Sequence, residues 1–210
     1  MMQTDESIGQ SLRDAAQSVD DKRLIDLAQR ALIAHFRLLY AWNQRINLTG
    51  VRDPIEGVER HLVESVKGGL LLEPRATDQL VDLGSGNGFP GLAVLLLHPQ
   101  LRGVLIEKSQ RKVDFLRAAI RQSGATERVG VSELALESVR QLDPAASVFT
   151  LRGFPAPRTW IAQLLERPAT RSVLAWLGEA DAATIAGEYA HVKSRELGEG
   201  KYVTLISRHG

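Results

Sequence analysis

Between Leu24 and Ile46 a stripe recurs every three or four positions: Leu24, Leu27, Ala28, Ala31, Leu32, His35, Leu38, Leu39 and Trp42. That period marks one face of a long amphipathic helix. Residues 1 to about 20 carry no such stripe and read as a frayed tail or a marginal helix. Asn47-Leu48-Thr49-Gly50 breaks the pattern, with Gly50 placed as a cap. Asp53 as N-cap and Pro54 as first residue start a second helix, which runs through Val58, Leu62 and Val66 to Gly68 or Gly69.

Beyond a loop around Pro74 to Asp78 the pattern changes. Short apolar runs at 80–83, 103–107, 129–131, 148–151 and 172–177 read as strands. Helical patterns lie between them at 91–98, 111–123 and 160–165, and a further one follows at 180–189. The second of these turns Val113, Leu116, Ala119 and Ile120 inward. Residues 191–197 and 201–207 form a closing pair of strands around Gly198-Glu199-Gly200. Alternating strand and helix predicts an α/β fold, an open and mostly parallel sheet, doubly wound with helices on both faces. The chain divides into an N-terminal helical extension packed on the core, 1–72, and a sheet domain, 73–210. Neither internal repeats nor low-complexity segments are visible.

The first strand runs directly into Asp82-Leu83-Gly84-Ser85-Gly86-Asn87-Gly88-Phe89-Pro90-Gly91. Glycines permit positive φ and let a ligand approach the main chain. A helix starting near Pro90 offers unpaired N–H groups and the positive end of its dipole. Strand, turn and helix together form a cradle for a nucleotide-like ligand. Gly86-x-Gly88-x-x-Gly91 fits the dinucleotide fingerprint by letter. Asp82-x-Gly84-x-Gly86-x-Gly88 fits better the pattern seen in methyltransferases that use S-adenosylmethionine, whose sulfonium and ammonium groups suit an acid at the strand end.

Glu107 ends the second strand, 25 residues after Asp82, where an acid can accept hydrogen bonds from both ribose hydroxyls. That placement suits an NAD ligand equally. Lys108 and Arg111 flank the same end and could meet a phosphate backbone; Lys112, Arg117 and Arg121 continue as a solvated helix face. Leu134-Ala135-Leu136-Glu137 follows the third strand, either as a cover for an adenine ring or as a helix start. Arg152 closes the fourth strand, where a substrate would approach, and Phe154 beyond it either stacks on a base or packs. On this reading Arg152→Ala loses turnover with less loss of fold. Asn47, Thr49, His61 and Ser65 receive no role from pattern alone.

Composition narrows the picture little further. The 210 residues are 44% hydrophobic and 24% charged, ordinary for a globular protein. The absence of cysteine excludes disulfides and thiolate metal sites and suits a cytoplasmic protein. The polar N-terminus lacks a signal layout, and Leu92 to Leu97 is too short to span a membrane. No His and carboxylate cluster suggests a metal. A net charge of +1 means nucleic-acid binding must be argued from local patches, and together with size it suggests a monomer.

Several blocks share one resemblance: Trp42-Asn43-x-x-Ile46-Asn47-Leu48-Thr49, Val51-Arg52-Asp53-Pro54, Arg60-His61 with Ser65, the loop Val81 to Gly91 including its Pro-Gly, and Glu107-Lys108-x-x-Arg111-Lys112-x-x-Phe115-Leu116. Together they resemble the bacterial small-subunit ribosomal RNA methyltransferase G family, also called glucose-inhibited division protein B, well over residues 36 to 155. The resemblance implies a Rossmann-like class I methyltransferase sheet. It implies an S-adenosylmethionine cofactor, and methyl transfer to N7 of a guanine in small-subunit (16S) ribosomal RNA. The partner it implies is the small ribosomal subunit. Asp82, Gly84, Ser85, Gly86, Gly88, Phe89, Glu107, Leu136, Glu137 and Arg152 are then the expected cofactor-pocket residues, with Arg152 also catalytic. The chain departs from the family pattern at Leu151-Arg152-Gly153, where Ser-Arg-Ala is usual. It departs again at Leu134-Ala135, and at Leu177, where a lysine is usual. A methyltransferase on another acceptor, an NAD(P)-linked oxidoreductase and a non-catalytic RNA-binding module are the alternatives.

Overall fold

Strands form here at β-branched and leucine-rich runs, which are buried on both faces at the centre of the sheet and partly exposed at its edges. In a computed structural model describing residues 3–208, they are β1 Gln79–Leu83, β2 Arg102–Glu107, β3 Val129–Glu133, β4 Val148–Arg152, β5 Ser172–Gly178, β6 Val192–Gly198 and β7 Lys201–Ser207. They make one seven-stranded sheet in the order β3-β2-β1-β4-β5-β7-β6. The five strands β1 to β5 pair in parallel, and β7 runs antiparallel to both β5 and β6. The chain winds outward from β1 to β3 and then returns to β4 on the other side of β1. The C-terminal ends of β1 and β4 therefore flank a topological switch, where ligands of such sheets bind. The doubly wound α/β sheet expected from the alternation is the sheet observed.

The helices are α1 Asp5–Asp14, α2 Val19–Asn43, α3 Pro54–Gly57, α4 Glu64–Gly69, α5 Gly91–Leu97, α6 Gln110–Gln122, α7 Pro157–Glu166 and α8 Glu179–Glu188. Of the two readings for the chain before residue 20, frayed tail or marginal helix, the helix is the one observed. Thr4 caps α1 at the N3 amide, and Ile8 and Leu12 are buried. A capping box between Ser18 and Asp21 starts α2 five residues earlier than the apolar stripe does. Gly50 is not its cap. Asn43 takes over that end, its Oδ1 accepting from the amides of Leu48 and Thr49 at 2.8 and 3.0 Å. The second predicted helix exists but is not uniform. Between α3 and α4 the chain is π-helical over Val58–Val63.

Alternation along β1 divides the core. Leu80 faces a layer formed by α1, α2, α4, α5 and α6, whereas Val81 and Leu83 face the layer containing α7 and α8. The N-terminal helices share the first layer with Leu92, Leu95 and Phe115, so residues 3–72 close one face of the sheet. Among the described residues no helix is long and apolar enough to cross a membrane.

Candidate functional site

The glycine turn is built by φ angles that only glycine takes without strain: +68° at Gly84, +56° at Gly86 and +83° at Gly88. Ser85 pins it, donating its amide to the Ile106 carbonyl at 2.8 Å and its hydroxyl to the Asp82 carbonyl at 3.2 Å. Ser85 is itself buried, so it shapes the turn from beneath. Gly84 is exposed, and a Cβ there would stand 3.0 Å from the Phe154 ring. The open side of the turn therefore faces the loop after β4, across the topological switch. Phe154 packs edge-on to Trp160, centroids 5.0 Å apart.

Glu107 completes the turn from the end of β2. Its Oε2 accepts from the Gly86 amide at 3.0 Å and its Oε1 from the Ser109 amide at 2.9 Å. Asp82 is placed differently from expectation. It shares the face of Leu80, is 1% exposed, and lies directly beneath Gly91, where an added Cβ would meet its carboxylate at 2.2 to 2.4 Å. Thr150 donates to its Oδ1 at 2.7 Å, while Oδ2 has no hydrogen-bond partner. Burial pushes its carboxyl up to about 6, opposed by the Thr150 donor and reinforced by the Glu107 charge. Asp82 thus acts from below the turn. The helix beyond it, α5, is only seven residues long.

Phe89 does not face the open side. It is buried between two imidazoles, stacked on His35 at 4.1 Å and on His61 at 5.6 Å between centroids. The helical extension supplies both rings, and the sequence around Phe89 carries no sign of them. His35 Nε2 meets the Asn87 carbonyl at 2.9 Å, and because a carbonyl only accepts, Nε2 is the donor. Burial lowers His35 to about 4. Burial and the Arg152 charge lower His61 to about 3; its Nε2 lies 2.9 Å from Thr49 Oγ1.

Arg152 closes β4 one register step past the Leu83–Leu151 pair, beside Gly84. Its side chain is 22% exposed rather than free in solvent. Nη2 donates to Glu64 Oε2 at 2.6 Å, and Nη1 to the Arg60 carbonyl at 2.7 Å. Glu64 is the site residue that pattern reading missed. Its partner is 88 residues away, so no local spacing marks the pair. Leu136 and Glu137 lie in a loop after β3 and not in a helix. Leu136 packs against the α7 and α8 layer, and the Glu137 amide donates to Gln141 Oε1 at 2.8 Å. Gly84, Gly86, Glu107, Arg152 and the 134–138 loop are thus gathered at the C-terminal ends of the strands; Phe89 and Asp82 support them from within. Lys108 and Arg111 are exposed at the same end. Among the described residues no group of three or more metal-ligating side chains occurs.

A cleft of about 690 Å³ opens at the opposite end of the sheet, lined by Glu73, Arg75, Arg171, His191 and Lys193. Its charges are largely self-paired, Arg171 with Asp78 and Lys193 with Glu73, and it gathers none of the residues above.

The family model described as rRNA small subunit methyltransferase G matches residues 28–207. A ribosomal RNA small subunit methyltransferase G of Xylella fastidiosa (strain M23) is 42% identical over 109 residues, 51% of this chain and 49% of the relative. One of the same description from Stenotrophomonas maltophilia (strain K279a) is 38% identical over 115 residues, 54% and 50% of the two chains. These matches span about half the length of the curated relatives. Among solved structures, an RNA methyltransferase from Salinibacter ruber in complex with S-adenosyl-L-homocysteine superposes with a TM-score of 0.54 at 23% identity, covering 68% of this chain and 88% of that one. Precorrin-6y C5,15-methyltransferase from Geobacter metallireducens GS-15 gives 0.53 at 15% identity, covering 77% and 90%. Those two likenesses bear on the fold, which is the Rossmann-like class I methyltransferase sheet. With a family match that takes in both the helical extension and the glycine turn, the chain belongs to the rRNA small subunit methyltransferase G family.

Proposed function

We propose that the chain is an S-adenosylmethionine-dependent methyltransferase acting on N7 of a guanine in small-subunit ribosomal RNA, as a monomer in the cytoplasm. The observation that carries this reading is the family match over residues 28–207. Local chemistry fits the cofactor. Gly84 leaves bare backbone at the switch point, Glu107 offers a carboxylate at the end of β2, and Asp82 Oδ2 is a buried acceptor without a partner. S-adenosylmethionine supplies the methyl group and the sulfonium leaving group when bound. Gly84, Gly86 and Glu107 would hold its ribose side, and Leu136 with Glu137 would border the adenine. Guanine N7 carries a lone pair and no proton, so the acceptor needs no general base. The work left for the chain is placement of the reacting atoms. Arg152 stands where the acceptor would approach, and arginine donors suit guanine O6.

Labelled-methyl transfer to small subunits from a strain lacking this protein, with the modified base mapped, tests the reading. Label at N7 of a guanine is expected. Label on another RNA position or on free small molecules would replace the acceptor, and binding of NAD without S-adenosylhomocysteine would end the methyltransferase assignment.

Asp82→Asn is expected to separate affinity from stability. A carboxyl shifted from 3.8 to about 6 favours the protonated form in the folded state by about 3 kcal/mol. Above pH 6 the fold therefore carries a buried charge that the unfolded chain leaves in water. Asparagine removes that cost and still accepts from Thr150. At pH 7 the variant should melt no lower than the wild type, yet bind S-adenosylhomocysteine about tenfold more weakly if the charge is kept for the ligand. Calorimetry and thermal unfolding read the two quantities. Unchanged affinity would take Asp82 out of the site.

A further inference from the structure

We propose that Glu64 is a positioning residue: through a buried ion pair it sets the Arg152 guanidinium at the glycine turn, in the orientation that serves the acceptor. The proposal rests on the methyltransferase reading above. Three observations carry it. Glu64 is 3% exposed, yet its Oε2 meets Arg152 Nη2 at 2.6 Å, so the carboxylate is spent on that one guanidinium. A second contact on the same guanidinium comes from the Arg60 carbonyl, in the π-helical segment Val58–Val63. The next carbonyl, of His61, accepts from the Ser65 hydroxyl at 2.5 Å. Two successive carbonyls of this segment thus serve side chains, and π-helical turns are frequent at functional sites.

The third observation concerns the anchor itself. The Glu64 carbonyl accepts from Trp176 Nε1 at 3.1 Å. Trp176 is the β5 residue paired with Arg152 in the sheet register. Its ring also packs on Gly68, where a Cβ would stand 2.3 Å away. The backbone carrying Glu64 is therefore fastened to the strand beside Arg152, and the side chain closes the loop. Stability does not account for such a pair. A buried ion pair replaced by packed apolar residues is often no less stable. What an apolar pair cannot do is hold a guanidinium at a fixed place with donors left over. Arg152 uses one hydrogen on each of two nitrogens here and keeps further N–H groups for a ligand.

Wild type, Glu64→Gln, Arg152→Ala and the double variant would be compared on small subunits from the deletion strain. Methyl transfer, S-adenosylhomocysteine calorimetry and thermal unfolding are read for each. Glu64→Gln is expected to lower kcat by about tenfold to a hundredfold, the effect of a misplaced group, with a smaller change in S-adenosylhomocysteine affinity. In the Arg152→Ala background it should lower kcat no further, because its action passes through that guanidinium. Wild-type kcat in Glu64→Gln, or an equal additional loss in the double variant, would overturn the proposal. If Glu64→Gln does not fold, Glu64→Asp keeps the charge but withdraws the anchor by one methylene, and wild-type kcat there overturns it equally. Nitrogen-15 relaxation at Arg152 Nε reads placement without turnover. It should be rigid in wild type and mobile in Glu64→Gln, and equal order in both would refute the positioning role. A wild-type chain inactive on subunits, with Arg152 freed in the variant, would sink the functional reading and leave the placement standing.

Discussion

Moving from pH 7 to pH 4.5 is expected to cost the fold a few kcal/mol and to lower its melting temperature by about 10 °C for a chain of this size. The cause is the pair of imidazoles around Phe89. His35 is held near 4 and His61 near 3, both below the usual 6.5. For a base whose folded pKa is depressed, the stability is fully present above 6.5. It is lost as pH falls toward the folded values, because only the unfolded chain takes up the proton freely. At pH 4.5 that amounts to about 3 kcal/mol for each ring. His98, buried against the Gly69 carbonyl and also lowered, adds in the same sense. Asp82 opposes: its raised carboxyl regains about 2 kcal/mol over the same range as it protonates. Burial raises Glu64 as well, which adds to that relief. The histidines still prevail, because they are more numerous and the shifts of His35 and His61 exceed that of Asp82. Thermal unfolding of wild type and His61→Gln across pH 4.5 to 7.5 checks the sign. Glutamine can still bond Thr49 Oγ1 but takes up no proton, so the variant should show a clearly shallower acid slope. A slope unchanged in the variant would remove His61 as a cause.

Arg152→Ala is expected to fail twice, in stability and in turnover. Sequence reading alone expects loss of turnover with less loss of fold, because burying an unpaired guanidinium is costly and a strand-end arginine is therefore not read as core. The structure changes that expectation. Removing the guanidinium leaves Glu64, at 3% exposure, without its charged partner. Breaking one side of a buried pair costs about 3–5 kcal/mol, which is a melting-temperature loss of about 10 °C. Replacing both members separates the two failures. Glu64→Met with Arg152→Met removes charge from both sides at similar volume, so the melting temperature should return to near wild type. Turnover should stay about a hundredfold down, as it does when a site loses a placed donor. Recovery of turnover in the apolar pair would mean that Arg152 serves the fold alone.

The site was legible where its signal is local. Glycines at 84, 86 and 88 lie in sequence where a positive φ is needed, and all three take one. Glu107 ends a strand whose apolar run is plain, so its place beside the turn follows from alternation and spacing. The central strands β1, β4 and β5 were readable for a related reason: burial on both faces leaves near-continuous apolar runs. Helix α1 was legible only as one of two alternatives, because Ile8 and Leu12 are its main apolar residues and their burial depends on the rest of the helical layer. The π-helical turn was not legible either, since its residues fit an ordinary helix as well.

Phe89, Asp82 and Arg152 mark the boundary between the two kinds of information. Sequence by itself placed Asp82 and Arg152 at the ends of β1 and β4 and Phe89 in the turn after β1, because strand limits and turn chemistry depend on neighbours along the chain. Which way each side chain turns was decided by the tertiary structure. Strand alternation and the Gly91 contact put Asp82 below the turn, His35 and His61 hold Phe89 inward, and Glu64 captures Arg152. The partners of Phe89 and Arg152 lie tens of residues away, and burial strengthens such contacts only after the helical extension has closed over the sheet.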